Sequence, residues 1–505
     1  MIAPSGIARH WRTTLPWLPL LLYVAALNPY FLPGTYDNVI YHVGGVSMAE
    51  SGAFLYQGKY NIAWAPGLPA LLALPYSIGP QSPLTAKLVV LMCVAAGLFL
   101  VRRFLLREGR EHPALICAVL ALAPCGFMMG TRIMSEWPYI AMSFLFLLCL
   151  DRLRNERRTV SFALVVGCVL GAAALTRFVG VLLGMAVVAQ AVTSLRSGDR
   201  RHWCRAIIPE AIVAAVGAGA FLLWQIRDAW HVSNGTAAAE NYYHGRWYVN
   251  IFLHPSFRTV PGKISDLLFH IEKVLQAVHI SGSASVWLPL LIGLVAIVGM
   301  AARLASAKQT PGDWYALAVV ALFAFQNKNQ QVRYLLPVAP FLISYLFSGV
   351  ALGAKAISIR DSRLFRFAFS TFCAVWISAL ALLDVYLVTF GNGQSHAGLC
   401  VVASPNAETF YLGEWRDLYN ACRYIREASP EGTVAVLGGN TRYVLAFSGR
   451  PAVSFPPHQP VSYVVAEGGE EVPHETQEAL GLAEVSKFGG VRVYSRNANA
   501  AHLQR

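Results

Sequence analysis

Asp37 stands a few residues past an apolar run of membrane length (15–31), in Tyr36-Asp37-Asn38-Val39-Ile40-Tyr41-His42. A carboxylate just outside a bilayer core keeps its charge and still reaches a lipid head group, so it is placed to take a proton from a membrane-held substrate. A second carboxylate, Glu136, opens another apolar run in Met134-Ser135-Glu136-Trp137-Pro138-Tyr139. Paired carboxylates beside short helices suit deprotonation or a divalent cation. Each also has a plainer reading, as a solvated loop residue or, for Glu136 ahead of Trp137-Pro138, as a helix start. Five cations, Lys59, Arg132, Arg177, Lys328 and Arg333, occupy short loops between apolar runs. A phosphate at head-group depth gives them a purpose, Arg offering a forked donor set and Lys a point charge. Snorkelling to lipid phosphates, or pairing with Asp37 or Glu136, accounts for them as well. Arg177 and Arg333 are the most specific, because each falls at a helix boundary.

The elements that position these residues must cross a membrane. The 505 residues are 56% hydrophobic and 13% charged, with a mean hydropathy of +0.48. Soluble domains carry about 25% charged residues, so a single soluble core is excluded and a multi-span protein is implied. Apolar runs at 15–31, 84–101, 113–128, 137–150, 160–176, 178–195, 206–226, 284–304, 314–325, 334–354 and 367–390 predict about eleven spans. The runs 137–150 and 314–325 are short and can span only with their polar ends buried in protein around a wet cavity. The run 68–78, broken by Pro69 and Pro75, predicts an interfacial helix. The net charge of +13 is topological rather than a nucleic-acid signature, because the arginines cluster after alternate spans: Arg102, Arg103, Arg107 and Arg110; Arg152, Arg154, Arg157 and Arg158; Arg196, Arg200, Arg201 and Arg205; and Lys355, Arg360, Arg363 and Arg366. The positive-inside rule makes those loops and the N-terminus cytoplasmic, and an odd span count puts the C-terminus outside. Asp37, Glu136 and the five cations then share the outer face.

Three outward segments are long: 32–83, 227–283 and 391–505. The last changes composition. An amphipathic helix over 412–429 and strands at 434–437, 452–455, 461–466 and 491–494 predict a small extracytoplasmic α/β domain, 391–505, after a membrane domain, 1–390. The aromatic stretch Asn241-Tyr242-Tyr243-His244-Gly245-Arg246-Trp247-Tyr248 suits stacking on sugar rings, with Tyr242, Tyr243 and His244 as contacts, and suits an interfacial aromatic belt better. His42 lies one helical turn from Asn38 and is a further contact if that segment is helical. Six of nine cysteines, Cys93, Cys117, Cys125, Cys149, Cys168 and Cys373, lie in apolar runs as small hydrophobes. Cys400 and Cys422, in the outward tail, read equally as a disulfide or as two thiols. Arg9 and Arg12 precede the first apolar run, which lacks a small-x-small cleavage site and predicts an uncleaved span.

Tyr36-Asp37-Asn38, Trp64-Ala65-Pro66-Gly67-Leu68-Pro69, Ser135-Glu136-Trp137-Pro138, Leu175-Thr176-Arg177 and Arg333-Tyr334-Leu335-Leu336-Pro337, in this order over the first 390 residues, resemble the GT-C glycosyltransferases. The resemblance is to the bacterial branch of protein O-mannosyltransferases and lipid A aminoarabinose transferases. It implies a mainly α polytopic fold, a bacterial inner-membrane location and a sugar donor on polyprenyl phosphate. It also implies inverting transfer to a hydroxyl of a lipid, polysaccharide or protein acceptor. Asp37 would be the general base, Glu136 the second acid, orienting the acceptor or helping to hold a divalent cation, and Lys59, Arg177, Lys328 and Arg333 the cations that meet the leaving phosphate. One departure stands out. Many relatives place a second acid directly after the first, and here Asn38 holds that place, which weakens metal dependence and leaves Asp37 alone as the base in that loop.

Two other functions fit parts of the chain. An O-antigen ligase or polymerase using a lipid-linked oligosaccharide would carry a large late outward loop with Arg and His, which 227–283 matches in part, but it leaves Asp37 unexplained. A transporter predicts paired repeats and ionisable residues at mid-membrane. No repeat is visible, and Asp384 alone falls deep in an apolar run.

Overall fold

The computed structural model describes residues 14–32, 37–155, 159–197, 203–238, 266–271, 287–325, 332–358, 362–390, 411, 414–428, 432–438, 440–455, 457 and 461–496. It divides into two compact units, each interleaved in sequence. One gathers residues 1–24, 60–71 and 87–384, and the other gathers 25–59, 72–86 and 385–505.

The first unit is helical. Its elements are α1 (Pro19–Ala25), α3 (Gly67–Tyr76, through Leu71), α4 (Pro83–Arg107, from Lys87), α5 (Pro113–Leu122), α6 (Pro124–Gly130), α7 (Glu136–Asn155), α8 (Val160–Thr176), α9 (Gly184–Ser197), α10 (Trp203–Ser233), α11 (Trp287–Ala305), α12 (Pro311–Phe325), α13 (Ala339–Ala356) and most of α14 (Arg363–Phe390). Tight 3₁₀ turns, Phe178–Leu183 and Val332–Val338, lead into α9 and α13. Among the described residues, 6 helices are long and apolar enough to cross a membrane, or up to 7 with the bent pair α5–α6. The protein is therefore an integral multi-pass membrane protein. The run 113–128, expected as one span, is broken. Pro124 follows Ala123, whose extended backbone (ψ 129°) ends α5, and α6 leaves at 67°. The run 137–150, expected to be short, is the core of the 20-residue helix α7, which continues through Asp151 to Asn155.

Small residues let the helices close on one another. A Cβ at Gly167 would stand 2.6 Å from Val216, and one at Gly171 2.8 Å from Ala220, so α8 and α10 approach backbone to side chain. On the arginine-rich side, Asp313, fully buried at the start of α12, gathers the chain ends. Arg110 reaches its Oδ1 at 2.5 Å and Arg303 its Oδ2 at 3.5 Å. The Tyr345 hydroxyl donates to Oδ1 at 2.6 Å, and the Thr310 amide and hydroxyl donate to Oδ2 at 2.8 and 3.1 Å. Burying an ion pair is costly, and here the remaining lone pairs are all engaged, which offsets the desolvation.

The second unit joins part of the first loop to the tail. It holds α2 (Asp37–Ser51), the short strand β1 (Leu55–Tyr56), Lys59 of β2 (Lys59–Tyr60), and the described tail elements. Those are α15 (Glu414–Ala428), β3 (Val434–Leu437), α16 (Thr441–Ser448), β4 (Ala452–Ser454), β5 (Tyr463–Ala466), α17 (His474–Leu480), β6 (Ala483–Phe488) and β7 (Val491–Ser495). The sheet runs β4-β3-β5-β7-β6, with β3 parallel to β4 and β5, and β7 antiparallel to β5 and β6. Leu418, Ala421, Cys422 and Ile425, on one stripe of α15, are all buried. Hydrogen bonds tie the two chain segments together: Tyr411 to the Phe31 carbonyl (3.0 Å), Tyr443 to the Leu32 carbonyl (2.9 Å) and Gln57 to the Ala452 carbonyl (2.6 Å). Cys422 is a buried free thiol, and Cys400 lies outside the described residues.

Candidate active site

Four of the five sequence motifs converge in the first unit. Gly67, opening α3, lies against the end of α8, where a Cβ would meet Thr176 Cα and Oγ1 at 2.6 Å, so the close approach requires glycine. The next residue, Arg177, is extended (φ −148°, ψ 132°) and turns the chain out of α8. Its guanidinium reaches Glu136 Oε1 at 2.5 Å and donates to Ser135 Oγ at 3.4 Å. Arg333, in the 3₁₀ turn Val332–Val338, brings Nε to 3.8 Å from the same carboxylate oxygen. Both guanidiniums lie over the Tyr334 ring, 5.3 and 5.6 Å from its centre. Glu136 itself is fully buried as the first residue of α7, and Pro138 sits in that first turn, where a missing amide hydrogen costs nothing.

The cluster packs against α4. Ile140, one turn below Glu136, packs near Gly97 of α4, where a Cβ would be 3.6 Å from its Cγ2. Gly97 is about 15 Å further along α4 than Lys87. Lys87 and Arg132, 1% and 4% exposed, are two more buried cations within electrostatic reach of one another. Arg132 belongs to the wholly buried loop 131–135 that leads into Glu136. Sequence reasoning counted Arg132 among the outer-face cations and gave Lys87 no role. Their burial is the signal, and hydropathy cannot supply it. Arg227, at the end of α10, was also missed. It stacks on Trp224 (4.2 Å) and Tyr60 (5.1 Å), while Tyr60 lies flat on His231 at 3.5 Å.

In the second unit, Asp37 is the first residue of α2 and is half-buried. Asn38 beside it is buried, and its amide donates to the Leu32 carbonyl at 3.2 Å. His42 faces Tyr76, Nδ1 to hydroxyl 2.7 Å, with Phe31 edge-on to the ring at 5.2 Å. Burial pushes its pKa down to about 4. The unfolded chain therefore binds a proton that the folded chain refuses between about pH 6.5 and pH 4, and stability falls as pH falls through that window. At pH 5 the ceiling on this loss is about 2 kcal/mol. A His42→Gln protein is expected to lose less thermal stability than the wild type between pH 7 and pH 5, and parallel curves would contradict the assignment. Lys59 is exposed. Lys328, Tyr242, Tyr243 and His244 lie outside the described residues. Among the described residues no group of three His, Cys, Asp or Glu side chains is arranged to hold a metal ion.

No family model matches the chain, and no curated protein sequence does. Solved structures do. Over 98% of this chain and 99% of the other, it is similar to ArnT from Cupriavidus metallidurans in the apo state, with a TM-score of 0.59 and 15% identity. The chain has the fold of that protein. The same protein bound to undecaprenyl phosphate superposes with a TM-score of 0.55 at 16% identity, over 98% of this chain and 99% of that one. The archaeal oligosaccharyltransferase AglB from Archaeoglobus fulgidus, in complex with an inhibitory peptide and a dolichol-phosphate, matches at 0.50 and 13% identity, over 92% of this chain and 70% of that one. At such identities the likeness is one of fold, and the chemistry rests on this chain's own residues.

Proposed function

We propose that this protein is a membrane glycosyltransferase that moves a sugar from a polyprenyl-phosphate donor to an acceptor hydroxyl, on the side opposite the arginine-rich loops. The observation that carries this reading is the buried cluster Glu136–Arg177–Arg333, assembled from three separated motifs inside a GT-C fold. In this reading Asp37 takes the proton from the acceptor hydroxyl, and the oxygen attacks the anomeric carbon from the face opposite the phosphate. The bond from that carbon to the phosphate oxygen breaks, and the anomeric centre inverts. Polyprenyl phosphate leaves with its charge met by Arg177 and Arg333, which cost no reorganisation because Glu136 and Tyr334 already hold them in place. Lys87 and Arg132 add positive potential nearer the start of α4. Glu136 acts by orienting these cations, since its carboxylate is already engaged by two of them. The location is the bacterial inner membrane, with the C-terminal α/β region, 391–505, extracytoplasmic.

A binding test separates this reading from a purely structural role for the arginines. Polyprenyl monophosphate, the expected leaving group, should raise the thermal unfolding temperature of the detergent-solubilised protein, and the unphosphorylated polyprenol should not. Replacing Arg333 by Gln should remove most of the shift, because a forked, charge-assisted contact to phosphate is lost. Equal shifts with phosphate and alcohol would count against a phosphate site at this cluster.

A further inference from the structure

The candidate active site has a floor, and it is thin. Phe104 at the inner end of α4, Phe144 on α7 and Phe341 on α13 meet ring to ring. The Phe104–Phe144 centres are 5.4 Å apart, Phe144–Phe341 5.5 Å and Phe104–Phe341 5.7 Å. All three rings are nearly or fully buried. On one side, one and two turns up α7 from Phe144, are Ile140 and then Glu136 with its two arginines. On the other side, Arg110 lies over Phe341 at 5.8 Å and over Tyr345 at 5.7 Å, and joins the network around Asp313. Measured along α7, Glu136 stands about 12 Å from Phe144. An ordinary bilayer core is about 30 Å thick, so the charged groups on the two sides of the rings stand closer together than that thickness.

We infer that Phe104, Phe144 and Phe341 form an ion-tight septum, closing the floor of the candidate site against the arginine-rich side where charged groups approach the rings from both directions. The rings suit such a barrier, because they offer water neither donors nor acceptors and their packing leaves no room for a file of it. A barrier is needed at this level. The hydroxyls of Tyr139 and Tyr315 meet beside the septum at 2.9 Å, and Tyr315 stands two residues from Asp313. Water entering from both sides would complete a hydrogen-bonded path for protons past that pair. Gly312 belongs to the device, because a Cβ there would press on Phe104 and Phe341 at 2.9 Å. The septum would act in the same way whatever the donor and acceptor are.

The test uses the full-length protein in liposomes that enclose a pH-sensitive dye, with proton influx followed after an external acid step. Phe144→Ser, which brings a hydroxyl and a void to the septum, and Gly312→Val, which wedges the rings apart without removing one, should each raise flux per protein by about tenfold or more. Phe144→Leu, which keeps the position apolar and filled, should stay near the wild type. Wild-type flux from Phe144→Ser protein that unfolds at a normal temperature would overturn the inference. If that variant does not fold, Gly312→Ala, which adds a single methyl group, decides by the same reading: raised flux supports the septum and unchanged flux overturns it.

Discussion

An Asp37→Asn protein is expected to keep its fold and its affinity for polyprenyl phosphate, and to lose transfer by about 10²- to 10⁴-fold, the range that a positioned general base supplies. The substitution is informative because its structural consequences are small. Asp37 opens α2, where a negative charge interacts favourably with the helix dipole by only about 0.3–1 kcal/mol, and Asn is as good a residue at helix starts as Asp. Asn also keeps the shape of the side chain, so packing against its half-buried surroundings is preserved. What it loses is the ability to accept a proton. Unfolding temperature and transfer rate, measured on the same preparation, separate the outcomes. Loss of both together would mean that Asp37 holds the first turn of α2 and does no chemistry.

Arg177→Ala is expected to lower transfer by about 10²- to 10³-fold, mainly through kcat, as removal of a donor aimed at developing charge does elsewhere. This variant carries a confounding cost. Glu136 is fully buried, and taking away its 2.5 Å partner leaves the carboxylate, among the described residues, to Arg333 at 3.8 Å. Breaking a buried ion pair from one side typically costs about 3–5 kcal/mol. The double variant Glu136→Gln, Arg177→Ala resolves the two effects. Neutralising Glu136 removes the stranded charge, so stability should recover. If Arg177 serves only to neutralise Glu136, activity recovers with it. If Arg177 meets the leaving phosphate, stability returns and activity stays low. The second outcome is the expected one.

The sequence carried the candidate residues better than their arrangement. Asp37, Glu136, Arg177 and Arg333 are legible because each breaks a rule of its neighbourhood: a charge at the edge of an apolar run, or a cation in a loop whose side disfavours cations. The convergence of Glu136, Arg177 and Arg333 is not legible, because tertiary contacts make it. Gly67 on Thr176 seats the end of α8, and a 3₁₀ turn carries Arg333. Hydropathy gives the length of an apolar run and not its neighbours, so the packing of Ile140 beside Gly97 is hidden as well. Hydropathy also continues straight through Pro124, where the backbone turns by 67°. In the tail, four strands and one helix were read from apolar alternation and amphipathic spacing. β6 (Ala-Glu-Val-Ser-Lys-Phe) escaped because it is an exposed, charged edge strand. The association of the first loop with the tail escaped too, because backbone carbonyls of Phe31, Leu32 and Ala452 accept its hydrogen bonds, and a carbonyl has no sequence signature.

The most direct measurement is donor turnover by the purified protein. A panel of polyprenyl-phosphate sugars would be supplied with a cell-envelope extract as acceptor, and free polyprenyl phosphate followed over time. The expected result is release with at least one donor, dependent on the extract, and nearly absent in Asp37→Asn protein of normal stability. Equal release by wild type and Asp37→Asn would contradict Asp37 as the base. No release with any donor, from protein that binds polyprenyl phosphate, would contradict transfer from a lipid-phosphate sugar.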